Sequence, residues 1–310
     1  MNPTDSSHLI VAALSHPGEV REINEDRLSV TSYTRESDSA SVTLAIVADG
    51  IGGHQAGEVA AQIAVDQITE DIAKASGDDP VAELSVAIIA AGRLISESAL
   101  RDEALQGMGS TIATAMIVGQ RLYIVSVGDS RIYLIRSGDI RQISIDHTWV
   151  QEAINHGILT PEEARNHPNA HVLHRHLGGD RDPLPDPRLR LADDESDEDS
   201  QGNQGMSLAA HDQILLCSDG LTDLVENEEI LEVLSSHSPD EAAKALVDMA
   251  RSRGGHDNIT MVIVEMPDPE TAVSGSRLRS GLRLMVAAIA LLALVAIGLG
   301  ISYLLGFWPR

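Results

Sequence analysis

Cysteine is nearly absent from this sequence of 310 residues, where Cys217 stands alone. A single cysteine excludes any intrachain disulfide, so the fold must rest on burial, and it fits a reducing compartment. A cysteine-nucleophile phosphate loop is excluded as well, because its arginine would fall at position 223, which is Asp223. Cys217 therefore reads as a small buried apolar residue on a strand. Aromatic residues make up only 2% of the chain, which leaves the core to Ala, Val, Ile and Leu. Basic residues are also scarce: 22 Lys and Arg against 47 Asp and Glu give a formal net charge of -25. Such a balance excludes nucleic acid as the partner, since phosphate backbones are bound by basic surface, and it permits cation binding. Met1 to His8 has neither the basic nor the apolar region of a signal peptide, so none is expected.

One long apolar run is present. Leu284 to Phe307 is almost wholly apolar and uncharged, long enough to cross a bilayer as a helix and apolar on every face. The expectation is a linker over 267–281, where Pro, Gly and Ser recur, and a transmembrane helix over 282–308. Arg277, Arg279 and Arg283 precede the run and only Arg310 follows it. The positive-inside bias places residues 1–266 in the cytoplasm, as the soluble part of a single-pass protein of the cell membrane. A helix packed into a partner or an oligomer is the alternative.

The stretch that organises the rest is Leu44-Ala45-Ile46-Val47-Ala48-Asp49-Gly50-Ile51-Gly52-Gly53-His54. An apolar strand ends in one carboxylate, glycines follow, and a helical period runs from Gln55 to Lys74. Alone, Asp49 would be an ordinary turn or cap residue. The device recurs, however, at Ile214-Leu215-Leu216-Cys217-Ser218-Asp219-Gly220.

Strands are expected over His8 to Leu14, Arg27 to Thr31 and Val42 to Ala48, and helices over Gln55 to Lys74 and Val81 to Arg101, side by side on one sheet face. Thr111 to Val118, Arg121 to Val127 and Arg131 to Arg136 read as an antiparallel meander with tight turns at Gly119-Gln120 and Gly128-Asp129-Ser130. Thr148 to His156 reads as a helix, and Thr160-Pro161-Glu162-Glu163 as a capped helix start. His167, His171, His174 and His176 invite a zinc reading, but no acidic or cysteine partner completes a set, and a solvent-facing polar helix accounts for them. The run Asp193 to Asp199 fails the calcium-loop spacing, with Glu198 where a glycine is needed, and reads as a mobile acidic loop. Asn227 to Ser235 and Pro239 to Arg253 are helices, and Ile259 to Glu265 is a closing strand.

Asp49, Asp219 and Asp257 each lie at a boundary between an apolar strand and a loop, with Asp129 and the Glu25-Asp26 pair in comparable places. Brought together, bare carboxylates repel and their pKa values rise; a bound dication removes that cost. Oxygen ligands without Cys or His select hard ions, Mg²⁺ or Mn²⁺, over zinc.

Arg21-x-x-Asn24-Glu25-Asp26, Asp49-Gly50-x-Gly52-Gly53-His54-x-Ala56-Gly57, Gly109-Ser110-Thr111, Val127-Gly128-Asp129-Ser130-Arg131, Ser218-Asp219-Gly220-Leu221 and Asp257-Asn258-Ile259-Thr260 occur in that order between Leu14 and Glu265. The ordered set resembles the motif series of the type 2C metal-dependent protein Ser/Thr phosphatases. The resemblance implies an α+β fold, a four-layer αββα sandwich of two antiparallel β-sheets flanked by helices, here with the transmembrane helix added. It implies a two-metal centre of Mg²⁺ or Mn²⁺ bridged by Asp49, with the Gly50 carbonyl on one ion and Asp219 and Asp257 on the other. Asp26 would be a further ligand and Glu25 would act through water. Asp129, with Asp219, would hold a third ion more weakly. Arg21 would bind the phosphate, a task suited to a planar guanidinium, and Arg21 and Asp49 would carry the chemistry.

The implied activity is hydrolysis of phosphoserine and phosphothreonine in proteins by a metal-activated water, on the substrates of Ser/Thr kinases. A catalytically inactive, phosphoprotein-binding scaffold at the membrane is the alternative, and a calcium-buffering protein a distant third. Two departures matter. The longer eukaryotic members carry a histidine, taken as the general acid, where this chain has Ile51, and His54 matches a different position. The family's acidic or amide residue in the Ser15-x-x-Gly18 turn is His16 here.

Overall fold

The computed structural model describes residues 1–4, 7–52, 56–165 and 167–268. The expected membrane helix over 282–308, and the linker from residue 269 onward, lie outside the described residues. Among those described, no helix is long and apolar enough to cross a membrane.

The chain opens with β1 (Asn2–Thr4), β2 (Ile10–His16), β3 (Arg27–Thr34) and β4 (Ser41–Ala48). Every residue of β4 after Ser41 is buried, as suits a central strand covered on both faces. A two-residue strand, β5 (Gly50–Ile51), leads to α1 (Ala56–Lys74) and α2 (Pro80–Arg101). Asp79 caps α2 by accepting the Ala82 N–H at 3.2 Å, and Pro80 fills the first turn where no N–H is needed. Then come β6 (Gly109–Ser110), β7 (Ile112–Val118), β8 (Arg121–Val127), β9 (Arg131–Arg136) and β10 (Asp139–Gln142). Two short helices follow, α3 (Trp149–Asn155), capped by Thr148, and α4 (Pro161–Arg165), where Thr160 and Glu163 form the expected reciprocal cap. The remainder is α5 (Asp197–Gly202), β11 (Met206–Ser207), β12 (Gln213–Cys217), α6 (Asp219–Thr222), α7 (Asn227–Ser236), α8 (Pro239–Ser252) and β13 (Ile259–Glu265).

All the strand pairings of the two large sheets are antiparallel. One sheet has the order β1-β3-β4-β7-β8-β11, the other β10-β9-β12-β13-β2. Three apolar layers separate four structural ones. Leu44 and Ile46 of β4 face α1 and α2. Val47, Ile132, Ile214 and Leu216 meet between the sheets, and Leu215 and Ile263 meet Ile230 of α7 and Leu246 and Val247 of α8 on the outer face of the second sheet. Ala56, Ala60, Ala61 and Ala64 let α1 lie close to the first sheet, so the scarcity of aromatics is met by close approach of backbones rather than by large rings.

Three expectations need correcting. The meander stops after β8, because β9 joins the other sheet between β10 and β12. Gly128 turns the corner at a φ of 107°, where a Cβ would lie 2.6 Å from Thr111 Cβ. Because β9 is buried on both faces, its four central residues serve the inter-sheet layer and the outer layer alternately. The histidine-rich segment is not a helix. Its backbone bonds go to neighbouring elements, His174 N–H to the His147 carbonyl at 2.8 Å and Leu177 N–H to the Ser110 carbonyl at 2.8 Å. The acidic run is not a free loop either: Ser196 caps α5, whose first turn gathers Asp197, Glu198 and Asp199 at the positive end of the helix. Arg188 binds Asp197 at 2.8 Å.

Leu216 is fully buried between the sheets. Leu216→Ala should cost about 3 kcal/mol, read as a lower urea midpoint with an unchanged slope.

Candidate metal centre

The site grows from the ends of strands in both sheets. Asp49 leaves β4, Asp219 opens α6 at the end of β12, Asp257 precedes β13, Asp129 sits in the β8–β9 corner, and Asp26 enters β3. Polar side chains fix each of them. The Asp49 N–H donates to Thr111 Oγ1 at 3.1 Å, while its carbonyl accepts from Ser110 Oγ at 3.0 Å and Thr111 N–H at 2.9 Å. Thr111 Oγ1 lies 2.7 Å from Ser130 Oγ, next to Asp129. On the other side, Ser218 Oγ donates to Asp26 Oδ2 at 2.7 Å. Asn258 takes the Glu25 N–H on its Oδ1 at 2.7 Å and donates to the carbonyls of Pro17 and Ile23, both at 3.0 Å. Asn24 accepts the Asp26 N–H at 3.1 Å and donates to Ser15 Oγ at 2.8 Å.

The glycines allow the approach. A Cβ on Gly50 would lie 2.3 Å from the Gly57 carbonyl oxygen, and one on Gly57 would lie 2.8 Å from Glu25 Oε1. Gly53, His54 and Gln55 lie outside the described residues.

Electrostatics show how closely the carboxylates are gathered. Burial, then Asp26, Asp219, Asp129 and Asp257, pushes the Asp49 carboxyl well above the usual range. Asp129 is raised in the same way by burial and by Asp219. Asp219 is raised by burial and Asp257, and it shares a hydrogen bond with Asp49. Burial foremost, against hydrogen bonds from Ser218 and Thr260, lifts Asp26 to about 7. Glu25 is raised by burial, with Arg21 opposing. Arg21 points into the group, its Nη2 2.7 Å from Asp257 Oδ2, and its side chain stays 50% exposed. Thus Arg21, Glu25, Asp26, Asp49, Asp129, Asp219 and Asp257 lie close together.

The donors suit a hard dication. Asp26 is 2% exposed, and its Oδ1 is buried without a hydrogen-bond partner. Crowded, buried carboxylates offer the all-oxygen ligands that Mg²⁺ and Mn²⁺ take.

Two neighbours escaped the sequence reading. Asp223 is lifted to about 6, by burial and by Asp219 with His171 opposing. His171 Nδ1 lies 3.9 Å from Asp219 Oδ2 and 3.7 Å from Asp223 Oδ2. Acidic partners for His171 therefore do exist, and the three side chains could share an ion. Four-residue helical spacing from Asp219 was the available signal for Asp223. The departure at His16 has a local answer, since its Nδ1 accepts the Gly18 N–H at 3.0 Å and so shapes the turn. Ile51 pairs with Gly109 in the small β5–β6 ribbon and has no proton to give.

The raised Asp26 sets a pH dependence. Its ordinary value is 3.8 and its folded value about 7. Between these the folded state binds more protons than the unfolded one, so raising the pH through this window removes stability. In EDTA, the melting temperature should fall across that window more steeply for the native chain than for Asp26→Asn. Thermal scans by circular dichroism check this, and Mn²⁺ should abolish the native fall.

The protein phosphatase 2C family model matches residues 19–251. The serine/threonine protein phosphatase PstP of Mycobacterium tuberculosis is 37% identical over 257 residues, 83% of this chain but 45% of that protein, so the chain spans about half the length of this relative. The serine/threonine phosphatase stp of Listeria monocytogenes is 33% identical over 253 residues, 80% of this chain and 92% of its own length. Among solved structures, the PstP phosphatase superposes with a TM-score of 0.70 at 35% identity, covering 84% of this chain and 99% of that one. A second PstP structure, of the catalytic domain with two manganese ions, gives 0.68 at 35% identity over the same shares. Motif order, the two-sheet sandwich and the gathered carboxylates agree with these likenesses, and the chain belongs to the protein phosphatase 2C family.

Proposed function

We propose that this chain hydrolyses phosphoserine and phosphothreonine in proteins, as a metal-dependent counterpart to Ser/Thr kinases. The observation that carries the reading is the convergence of Asp26, Asp49, Asp129, Asp219 and Asp257 at one end of the sandwich, with the half-exposed Arg21 directed at the group.

Asp49, Asp219, Asp257, Asp26 and the Gly50 carbonyl would hold two Mg²⁺ or Mn²⁺ ions, as the two manganese ions of the PstP structure support, with Asp129 helping to hold a weaker third. When bound, these ions supply the positive charge that lowers the pKa of a water and neutralises phosphoryl oxygens. The chain's own residues do the rest. Arg21 binds and orients the phosphoryl group with its planar guanidinium. Glu25, which accepts a backbone hydrogen bond from Gly57 beside Arg21, would act on the ions through water. Ile51 has no proton to give, so the leaving serine or threonine oxygen must take its proton from metal-bound water or from another group. Attack by a cysteine is excluded, because Cys217 is buried at the end of β12 under the outer helices and burial pushes its thiol up to about 12.

The domain reading goes with this: residues 1–266 are the catalytic domain, 267–281 a linker, and 282–308 a single membrane span with the catalytic domain facing the cytoplasm. The uncharged run Leu284 to Phe307 and the arginines before it support that arrangement. The inactive-scaffold reading requires a missing ligand, and the set of Arg21 and the aspartates is complete, since neither Ile51 nor His16 stands in place of a ligand.

Two measurements test these readings. With Mn²⁺, the full chain should release phosphate from a phosphothreonine peptide; Arg21→Ala should lower kcat/KM about 10²-fold and Asp49→Asn by more. A folded, metal-loaded chain that leaves the peptide intact favours the scaffold. After lysis without detergent, the full-length chain should sediment with membranes, and its recovery in the soluble fraction would defeat the membrane assignment.

A further inference from the structure

Residues 147 to 186 form an excursion that carries α3, α4 and the histidine-rich segment, and its two ends meet. His147 Nε2 lies 2.9 Å from Asp186 Oδ2, with both side chains at most 4% exposed. Asp186 is itself fixed: its backbone exchanges two hydrogen bonds with Ser126, at 2.9 and 3.1 Å, and its carboxylate takes the Arg188 Nε at 2.9 Å on Oδ1 and 3.0 Å on Oδ2.

The other face of the His147 ring looks toward the metal centre. Gly128 N–H donates to His147 Nδ1 at 3.0 Å, and His147 N–H donates to the Gly128 carbonyl at 2.9 Å. Gly128 immediately precedes Asp129. A backbone N–H can only donate, so Nδ1 carries the lone pair and the ring proton sits on Nε2, aimed at Asp186. Asp186 thus selects the tautomer that can hold Gly128. The adjacent Asp146 grips the far side of the same corner, taking Arg131 Nη2 at 2.8 Å.

We propose that His147 is a positioning residue for the metal centre: held as its Nε2–H tautomer by Asp186, it fixes the Gly128–Asp129 corner and so sets how well Asp129 holds the weakly bound ion. Nothing in the sequence motifs assigned it a task. The inference rests on the reading of Asp129 as a ligand of that ion. It makes the neck of the 147–186 excursion part of the metal site, acting through the Gly128–Asp129 corner. Changes in partners of the ligands shift metal affinity by about 10- to 100-fold in metal sites generally.

The test uses the full chain stripped of metal, with Mn²⁺ alone as probe. Nuclear magnetic resonance of ring-labelled histidine, with the His147 signal identified by its loss in His147→Asn, should show a proton on Nε2 and a bare Nδ1. A proton on Nδ1 overturns the inference, and this measurement needs neither a variant's stability nor activity. By calorimetry, the weakest Mn²⁺ site should lose about tenfold in affinity in His147→Gln, which keeps a donor toward Asp186 but loses the acceptor for Gly128. His147→Asn, whose side-chain oxygen replaces Nδ1, should stay near native. The reverse ranking would mean that the ring serves only to close the neck, and equal affinities in both folded variants would mean that it sets nothing; either overturns the proposal. On a phosphothreonine peptide, kcat should follow the ranking with KM unchanged. A native chain that binds Mn²⁺ yet spares the peptide would fail the activity reading, while resonance and calorimetry still decide this one.

Discussion

Mutual repulsion among buried carboxylates is the constraint on which this structure depends. Asp26, Asp49, Asp129 and Asp219 are each forced upward in pKa by burial and by one another. A flexible chain would relieve that strain by moving the groups apart. Here the sandwich prevents it, because the aspartates hang from strand ends locked in two sheets. The hydroxyls and amides of Ser110, Thr111, Ser218, Asn24 and Asn258 hold the intervening backbone. Burial of Ala, Val, Ile and Leu supplies the stability that keeps like charges together, and a dication turns the same crowding into affinity.

Much of this was legible in the sequence. The strands around Val42 to Ala48 and Ile214 to Cys217 are apolar runs bounded by Asp-Gly, the helix of 56–74 carries a helical period, and those of 80–101, 227–236 and 239–252 carry period and caps together. Where local chemistry and tertiary need agree, reading the chain in one dimension works. The carboxylates at strand ends were found for the same reason.

What escaped is non-local. Nothing around Arg131 to Arg136 says which sheet the strand joins; that follows from a corner at Gly128, where the positive φ and the close approach of Thr111, from the β6–β7 connection, leave no room for a side chain. The histidine-rich segment has helical spacing, but its backbone partners are His147 and Ser110. His171 reaches Asp219 and Asp223 across a long stretch of sequence, and His147 reads as one more polar residue until the fold places Gly128 on one side of its ring and Asp186 on the other.

Thr111 joins the two halves of the site through one atom. Its Oγ1 contacts both the Asp49 N–H and the Ser130 hydroxyl. Two loops tied to the same oxygen cannot drift independently: thermal displacement of one drags the other in the same direction. For an enclosure that must grip ions of fixed radius, correlated motion of this kind matters more than low motion overall, and a single hydroxyl in the connection between β6 and β7 provides it.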